Sequence, residues 1–172
     1  MVSPATKRNR KIKCGRLLLC AGLLFLSLLS CRQKIMYHQY RTIDETLWGK
    51  GDIYSFTFQV NDTITLYDIA LKVRSDNLYP YQNLWVFCSE MQPFAPSRLD
   101  TLECMLADDF GKWYGKGIVL HQLSFPIRTG YRFPIKGQYT FSFRQAMRND
   151  SLRGIREIGL FVQRATQGTS HK

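Results

Sequence analysis

Apolar residues recur at every second position in segment after segment of this chain, and this alternation constrains its fold more than any other feature. In Ile53–Val60, aromatic and branched side chains fall on one face and small polar ones on the other. Thr65–Arg74 repeats the pattern after a turn at Asn61–Thr63. A period of two residues, with turn-forming residues at each end, is typical of a strand that buries one face.

Seven segments have this strand character, and no long amphipathic helix separates them. They are Ile53–Val60, Thr65–Arg74, Leu84–Met91, Leu99–Leu106, Ile118–Phe125, Gln138–Arg144 and Arg156–Arg164. Short strands joined by turns predict an all-β chain that folds as an antiparallel β-sandwich. The pattern fits an immunoglobulin-like arrangement and a jelly-roll arrangement equally well.

The N-terminus has the character of a secretory signal. Six bases precede Leu17, and no acid occurs before Asp44. The uncharged window between Arg16 and Arg32 is 15 residues long, which is short of the roughly 20 that a membrane-spanning helix needs. A basic start followed by a short apolar stretch predicts a signal peptide over residues 1–30.

The end of the apolar stretch indicates which kind of signal this is. Leu28–Cys31 resembles a lipobox, with a leucine first, a small serine third and the cysteine last. Cys31 is therefore the predicted lipidation site, with palmitate-type acyl chains that hold the protein at a membrane, since each buried methylene contributes about 0.8 kcal/mol. The expected organisation is a signal peptide over 1–30, lipidated Cys31 and a tether over 31–46, a β-sandwich domain over 47–164 and a disordered tail over 165–172.

Removal of the signal peptide changes the charge of the chain. The precursor has 24 bases and 13 acids. Six bases leave with the signal, so the mature chain has 18 bases against 13 acids, a net charge of +5. A modest excess of this kind lacks the clustered basic face of a nucleic-acid-binding protein. Nucleic acid is therefore not an expected partner.

Of the five cysteines in the chain, two are expected to remain available for pairing in the mature domain. Cys14 and Cys20 lie in the signal and Cys31 is acylated, which leaves Cys88 and Cys104. In an antiparallel hairpin, an index sum of 192 would set these two residues opposite each other, at a Cα separation of ~4.5–5.5 Å that suits a disulfide. A neighbouring register would leave two buried free thiols. Both thiols are expected to face the core, and both alternatives remain open.

No combination of residues in the sequence indicates catalysis, a bound metal or a cofactor. His121, the histidine on a predicted strand, is expected to be structural. The segment Asp108–Lys116 sets two acids beside Gly111, but two lysines are close by, which favours a solvated turn over a calcium site. We therefore predict that the protein is not an enzyme and uses no metal and no cofactor.

Aromatic residues in the predicted loops give a candidate binding surface. Its members are Tyr79, Tyr81, Trp113 and Tyr114. Exposed aromatic rings can stack on sugars, and they are also enriched in protein interfaces. Aromatic side chains equally fill sandwich cores and hold loops in place.

Several blocks of sequence together resemble one known family, the gliding-motility lipoproteins called GldH in the Bacteroidetes. The blocks are Tyr79–Phe87, Asp100–Glu103, Leu106–Asp108, Gly111–Gly117, Gly137–Arg148 and Gly154–Leu160. They run in order across nearly the whole mature chain. None of them is a chemical motif, so they identify a family and not a mechanism.

The resemblance implies a cell-envelope lipoprotein associated with gliding motility and, in related machinery, with secretion. It brings no catalytic residue. Arg32, which follows the lipidated cysteine, does not look like a signal for retention in the inner membrane. The basic stretch Arg32–Lys34 also lacks the acidic residues of a surface-export signal. The expected location is the periplasmic face of the outer membrane.

Two functions follow as hypotheses. The first is a non-catalytic lipoprotein that binds other envelope proteins of a motility or secretion apparatus. The second is a lipid-anchored module that binds glycans. An enzyme is disfavoured, because the predicted neighbouring positions do not supply a nucleophile, a base and an orienting group.

Overall fold

The computed structural model describes residues 35–44 and 47–165. This part of the chain contains ten strands. They are β1 Ile35–Thr42, β2 Leu47–Gly49, β3 Tyr54–Val60, β4 Tyr67–Asp76, β5 Asn83–Met91, β6 Arg98–Met105, β7 Leu120–Tyr131, β8 Gly137–Gln145, β9 Ser151–Arg153 and β10 Ile155–Arg164. In the part of the chain that the structure describes, no helix has the length and apolar character needed to cross a membrane.

Two four-stranded antiparallel sheets form the sandwich. One has the order β1-β10-β4-β7 and the other the order β3-β8-β5-β6, and a small separate ribbon pairs β2 with β9. Without that ribbon, the first of eight strands pairs with the last, the second with the seventh, the third with the sixth and the fourth with the fifth. Successive pairs alternate between the sheets, which is the jelly-roll topology. Of the two arrangements compatible with the sequence, the structure has this one.

In β3, β4, β8 and β10 the core is formed by the face that the alternation predicted to be buried. Phe56, Phe141 and Phe143 are completely buried, and Phe58 nearly so. The Phe56 and Phe143 ring centroids are 5.8 Å apart and those of Phe58 and Phe141 are 6.1 Å apart. Separations of this size give aromatic pairs a contribution beyond simple burial. The prediction of an antiparallel β-sandwich is therefore confirmed.

The folded domain begins earlier than the sequence predicted. The tether was expected to run to residue 46, but β1 pairs with β10 over most of its length, with Tyr37 opposite Val162. The Tyr37 ring also packs on Phe58 of the other sheet, 5.2 Å between centroids. The alternation of apolar and polar residues does not reveal β1, because β1 is an edge strand. Its residues are exposed or half-buried, and its polar side chains contact water on the open side of the sheet.

The remaining boundary predictions fall largely outside the described residues. This holds for the signal peptide, for Cys31 and residues 32–34, and for residues 166–172 of the predicted tail. Ala165, the first residue of that tail, donates a backbone hydrogen bond to the Leu66 carbonyl at 2.8 Å. The ordered chain therefore includes at least this residue.

A group of polar residues lies between the sheets on their β6 and β7 side. Arg128 of β7 forms ion pairs with Asp100 at 2.5 Å and with Glu90 at 3.5 Å. Glu90 is almost completely buried, and its other oxygen accepts hydrogen bonds from Gln92 and Tyr131. Burial, together with the Glu90 charge, raises the pKa of Tyr131 to about 12. Burying an unpaired carboxylate costs folding free energy, so Glu90 can point inward because these partners pair with it.

The register of β5 and β6 decides the state of the two cysteines. Leu84 lies opposite Cys104 and Cys88 lies opposite Asp100, an index sum of 188 and not the 192 that a bridge requires. The predicted core-facing orientation of both residues is confirmed, and of the two alternatives the structure has the two buried free thiols and not the disulfide. Burial raises the pKa of each thiol to about 12.

Both thiols should therefore resist alkylation in the folded protein. At pH 8 a thiol with a pKa near 12 has very little thiolate, the reactive form, and its sulfur is also shielded from the reagent. Mass spectrometry after iodoacetamide treatment, without reductant, should show no adduct on the folded mature protein and two after denaturation. Absence of both adducts after denaturation would mean that a bridge exists.

Candidate functional site

The strand connections divide between two opposite ends of the sandwich. Three short loops, 61–66, 92–97 and 132–136, lie at the end where β1 starts and β10 stops, which we call the N-terminal pole. The described parts of 43–53, together with 77–82, 106–119 and 146–154, lie at the other end, which we call the long-loop pole because it holds 106–119, the longest of these connections. All four aromatic residues of the predicted binding surface belong to the long-loop pole.

Tyr79 is a core residue and not a surface one. Only 3% of its area is exposed, and its hydroxyl donates a hydrogen bond to the Asn83 carbonyl at 2.8 Å. Gly154, at a φ of +85°, packs so closely that a side chain there would place its Cβ 2.2 Å from the Tyr79 nitrogen. Burial raises the pKa of the Tyr79 hydroxyl well above its usual value. Its prediction as part of a binding surface is therefore wrong.

Tyr81 lies at the surface beside Tyr79. The two rings meet edge to face with centroids 5.7 Å apart, and the Tyr81 hydroxyl donates to the Asn149 side chain at 2.9 Å. Tyr81, Trp85 and Met147 help line an open cavity of ≈560 Å³. This face therefore offers mixed aromatic and polar contacts.

Trp113 is half-buried and is held by a histidine. Its ring stacks on His121 with 4.9 Å between centroids and an angle of 7° between the planes. His121 is buried, and its Nε2 lies 2.7 Å from Oδ1 of Asn77, an oxygen that can only accept, so Nε2 donates. One face of the indole is thus covered, and the imidazole serves to support the loop. This agrees with a structural role for His121.

Tyr114 is the most exposed of the four aromatic residues, at 59%. Its backbone nitrogen donates to the Leu106 carbonyl at 2.9 Å, which fixes its position in the loop. Together with Tyr81, it is what remains exposed of the predicted surface. Because Tyr79 is buried and Trp113 is covered on one face, the four rings do not form a shared stacking platform.

The structure exposes other apolar side chains at the same pole that the sequence analysis missed. They are Leu78, Phe110, Ile118 and Val119, and with Tyr114 we call them the apolar crown. Phe110 is 97% exposed and Ile118 is 89% exposed. An apolar residue set among turn formers, as in Asp108–Gly111, is the sequence signal that could have indicated Phe110.

The loop that carries Phe110 is ordered by its own hydrogen bonds. Oδ1 of Asp108 accepts from the backbone nitrogens of Phe110 at 3.0 Å and of Lys112 at 2.8 Å. Gly111 follows with a φ of +80°, a conformation that glycine adopts without strain. The Asp108 carboxylate is therefore committed to the turn, as expected of a solvated turn.

Charge at the long-loop pole is balanced among the described residues. The number of basic residues equals the number of acidic residues. The bases are Lys50, Lys112, Lys116, Arg148 and Arg153, and the acids are Asp44, Asp52, Asp108, Asp109 and Asp150. Across the described residues, no group of three or more histidine, cysteine or acidic side chains is arranged to hold a metal ion. The chemistry that this pole offers is apolar contact surrounded by charges of both signs.

Comparison with known proteins identifies the family. The profile of the GldH lipoprotein family matches residues 35–162. The chain is 28% identical to the gliding motility lipoprotein GldH of Flavobacterium johnsoniae, over 87% of this chain and 94% of that protein. It is also 28% identical to a GldH homolog of Christiangramia forsetii, over 79% of this chain and 88% of that one.

Solved structures show only weak similarity. A chain of infectious bursal disease virus, Gx strain, aligns over 81% of this chain at 12% identity and a TM-score of 0.35. A family two carbohydrate esterase of Cellvibrio japonicus aligns over 77% at 14% identity and a TM-score of 0.27. The chain spans about a third of the length of each of these structures.

Single replacements of Trp113 and Tyr114 distinguish a residue that stabilises the fold from one that serves only in surface binding. Trp113→Ala should lower the free energy of unfolding by roughly 2 kcal/mol or more, because the indole packs on His121 and the core. Tyr114→Ala, the matched control, should change it by no more than about 0.5 kcal/mol. Urea denaturation followed by circular dichroism measures both. A Trp113→Ala protein of unchanged stability that has lost polysaccharide binding would instead support a glycan platform.

The profile match extends over well more than half of the chain, and both relatives agree with it. The chain belongs to the GldH family of gliding motility lipoproteins.

Proposed function

We propose that this protein is a non-catalytic envelope lipoprotein that binds other proteins of a motility or secretion apparatus through its long-loop pole. The observation that carries the proposal is the apolar crown. Exposed apolar side chains grouped at one end of a domain mark interaction surfaces. Aromatic residues such as Phe110 and Tyr114 are among the types enriched in protein interfaces.

The fixed backbone conformation of the loop that carries Phe110 and Tyr114 supports a role of the apolar crown in binding. The Asp108 turn and the Tyr114 backbone bond fix the backbone at Phe110 and Tyr114 before a partner arrives. A surface that is already ordered loses less conformational entropy on association, which favours affinity. The surrounding charges of both signs can pair with a partner and set its orientation.

The absence of catalysis is the second part of the proposal. His121, the histidine best placed to take part in a reaction, donates Nε2 to Asn77 and stacks against Trp113. Glu90, one of the two buried acids among the described residues, is engaged by Arg128, Gln92 and Tyr131. These contacts give both residues structural roles.

Membrane attachment is the third part. Acylation of Cys31 would place the lipid four residues before Ile35, the first residue of β1. The basic residues Arg32 and Lys34 that follow the cysteine favour the periplasmic face of the outer membrane over export to the surface. The long-loop pole, at the opposite end of the strands, is then directed away from the anchor.

A pull-down from crosslinked cells tests the partner-binding surface. Phe110→Ser combined with Ile118→Ser should reduce recovery of the co-purifying envelope proteins by roughly tenfold or more, as loss of an interface hot spot does. The matched control is Leu99→Ser with Met91→Ser, which removes two exposed apolar side chains from the outer face of the β3-β8-β5-β6 sheet. The control should recover as much as the wild type.

Equal recovery by all three proteins would contradict the proposed surface. Retention of the wild type on peptidoglycan or polysaccharide, without proteins, would favour the glycan-binding alternative. Circular dichroism on each purified variant establishes that the fold is intact.

A further inference from the structure

The N-terminal pole also carries exposed apolar side chains, one at the tip of each short loop. Phe94 in loop 92–97 is fully exposed, Ile64 in loop 61–66 is 82% exposed, and Ile135 in loop 132–136 is also exposed. Ile35 and Leu66 add two further exposed side chains nearby. Three separate loops therefore direct apolar residues into solvent at the same end of the domain.

Phe94 occupies an unusual backbone conformation. Its φ is +55°, and it is the non-glycine residue with positive φ in the described part of the chain. A bulky residue in the left-handed region is strained, and glycine would avoid that strain. The loop is also braced, because Pro93 packs tightly against Gly137 at the start of β8. An exposed aromatic ring held in a strained position at a loop tip indicates a contact that the free domain does not make.

The charge of this pole differs from that of the long-loop pole. Arg98, Arg132 and Lys136 are exposed around the apolar tips. Asp62 is the acid within the three loops, and its carboxylate already accepts bonds from the Ile64 and Thr65 backbone nitrogens. Apolar side chains surrounded by uncommitted bases match a membrane interface with anionic headgroups.

The position of the proposed lipid limits where the membrane can be. Ile35 is four positions after Cys31, and four residue steps of fully extended chain span at most ~14 Å. The start of β1 lies beside loop 61–66, since Ile35, Asn61 and Asp62 line one cavity. A membrane that holds the acyl chains of Cys31 must therefore lie close to this pole.

We propose that the N-terminal pole is a membrane-docking surface, which inserts Phe94, Ile64 and Ile135 into the interface of the bilayer that holds the acyl chains. Arg98, Arg132 and Lys136 contact anionic lipid headgroups around them. Docking gives the lipid-anchored domain a fixed orientation, with the apolar crown pointing away from the bilayer. This inference rests on the lipidation of Cys31 that is part of the proposed function.

A fluorescent probe at each pole tests the docking. Phe94→Cys and the matched Phe110→Cys, both at fully or almost fully exposed positions, are labelled with an NBD maleimide in the mature lipidated protein. Cys88 and Cys104 are buried with raised pKa values, and the sulfur of Cys31 is acylated, so the new thiol takes the label. Each protein is reconstituted in vesicles of phosphatidylethanolamine and phosphatidylglycerol, with and without nitroxide-labelled acyl chains.

The label at position 94 should emit at shorter wavelength and be quenched by the nitroxide lipid several-fold more strongly than the label at position 110. Equal weak quenching at both positions would overturn the docking. A blue shift at position 94 without nitroxide quenching would also overturn it, because it would mean burial against a second protein copy. Flotation with the vesicles, lost in Cys31→Ser, tests the anchor independently, so failure of lipidation and failure of docking give different results.

Discussion

The packing of an aromatic face of one sheet against a mainly aliphatic face of the other is the interaction on which the rest of this structure depends. Phe56, Phe58, Phe141 and Phe143 come from β3 and β8, a neighbouring pair in one sheet, and Phe58 also contacts Tyr37 of the other. Because the inner face of each sheet is buried in this core, the outer faces and the two poles are the surfaces that contact water. The jelly-roll pairing then sends every described connection to one pole or the other.

The two poles differ in ways that fit different partners. The N-terminal pole has short loops, uncommitted bases and a strained Phe94 close to the proposed anchor. The long-loop pole has ordered turns, balanced charge and the apolar crown. A lipid surface requires apolar tips and positive charge, whereas a protein partner is matched by fixed shape and charges of both signs. If both proposals hold, one small domain joins a membrane on one side to a protein assembly on the other.

Sequence periodicity predicts the strands that bury a whole face, because period-two alternation reports burial directly. It misses β1, whose edge position tolerates Gln39 and Arg41, and it gives no account of Glu90, whose burial depends on Arg128 from a distant strand. The sequence left a disulfide and two free thiols both open for a similar reason, since register depends on the loop geometry between β5 and β6. The sequence analysis correctly placed Tyr79 and Tyr114 in loops. Only tertiary packing shows that Tyr79 is buried whereas Tyr114, like Phe110, is exposed.

The central claim is that opposite poles contact different partners, and photocrosslinking in living cells tests it most directly. A benzophenone amino acid placed at position 110 or at position 94 replaces a phenylalanine that is almost or fully exposed, so neither change should disturb the fold. The account predicts protein adducts from position 110, and lipid adducts without protein adducts from position 94. The same protein adduct from both positions, or protein adducts from position 94 alone, would contradict it.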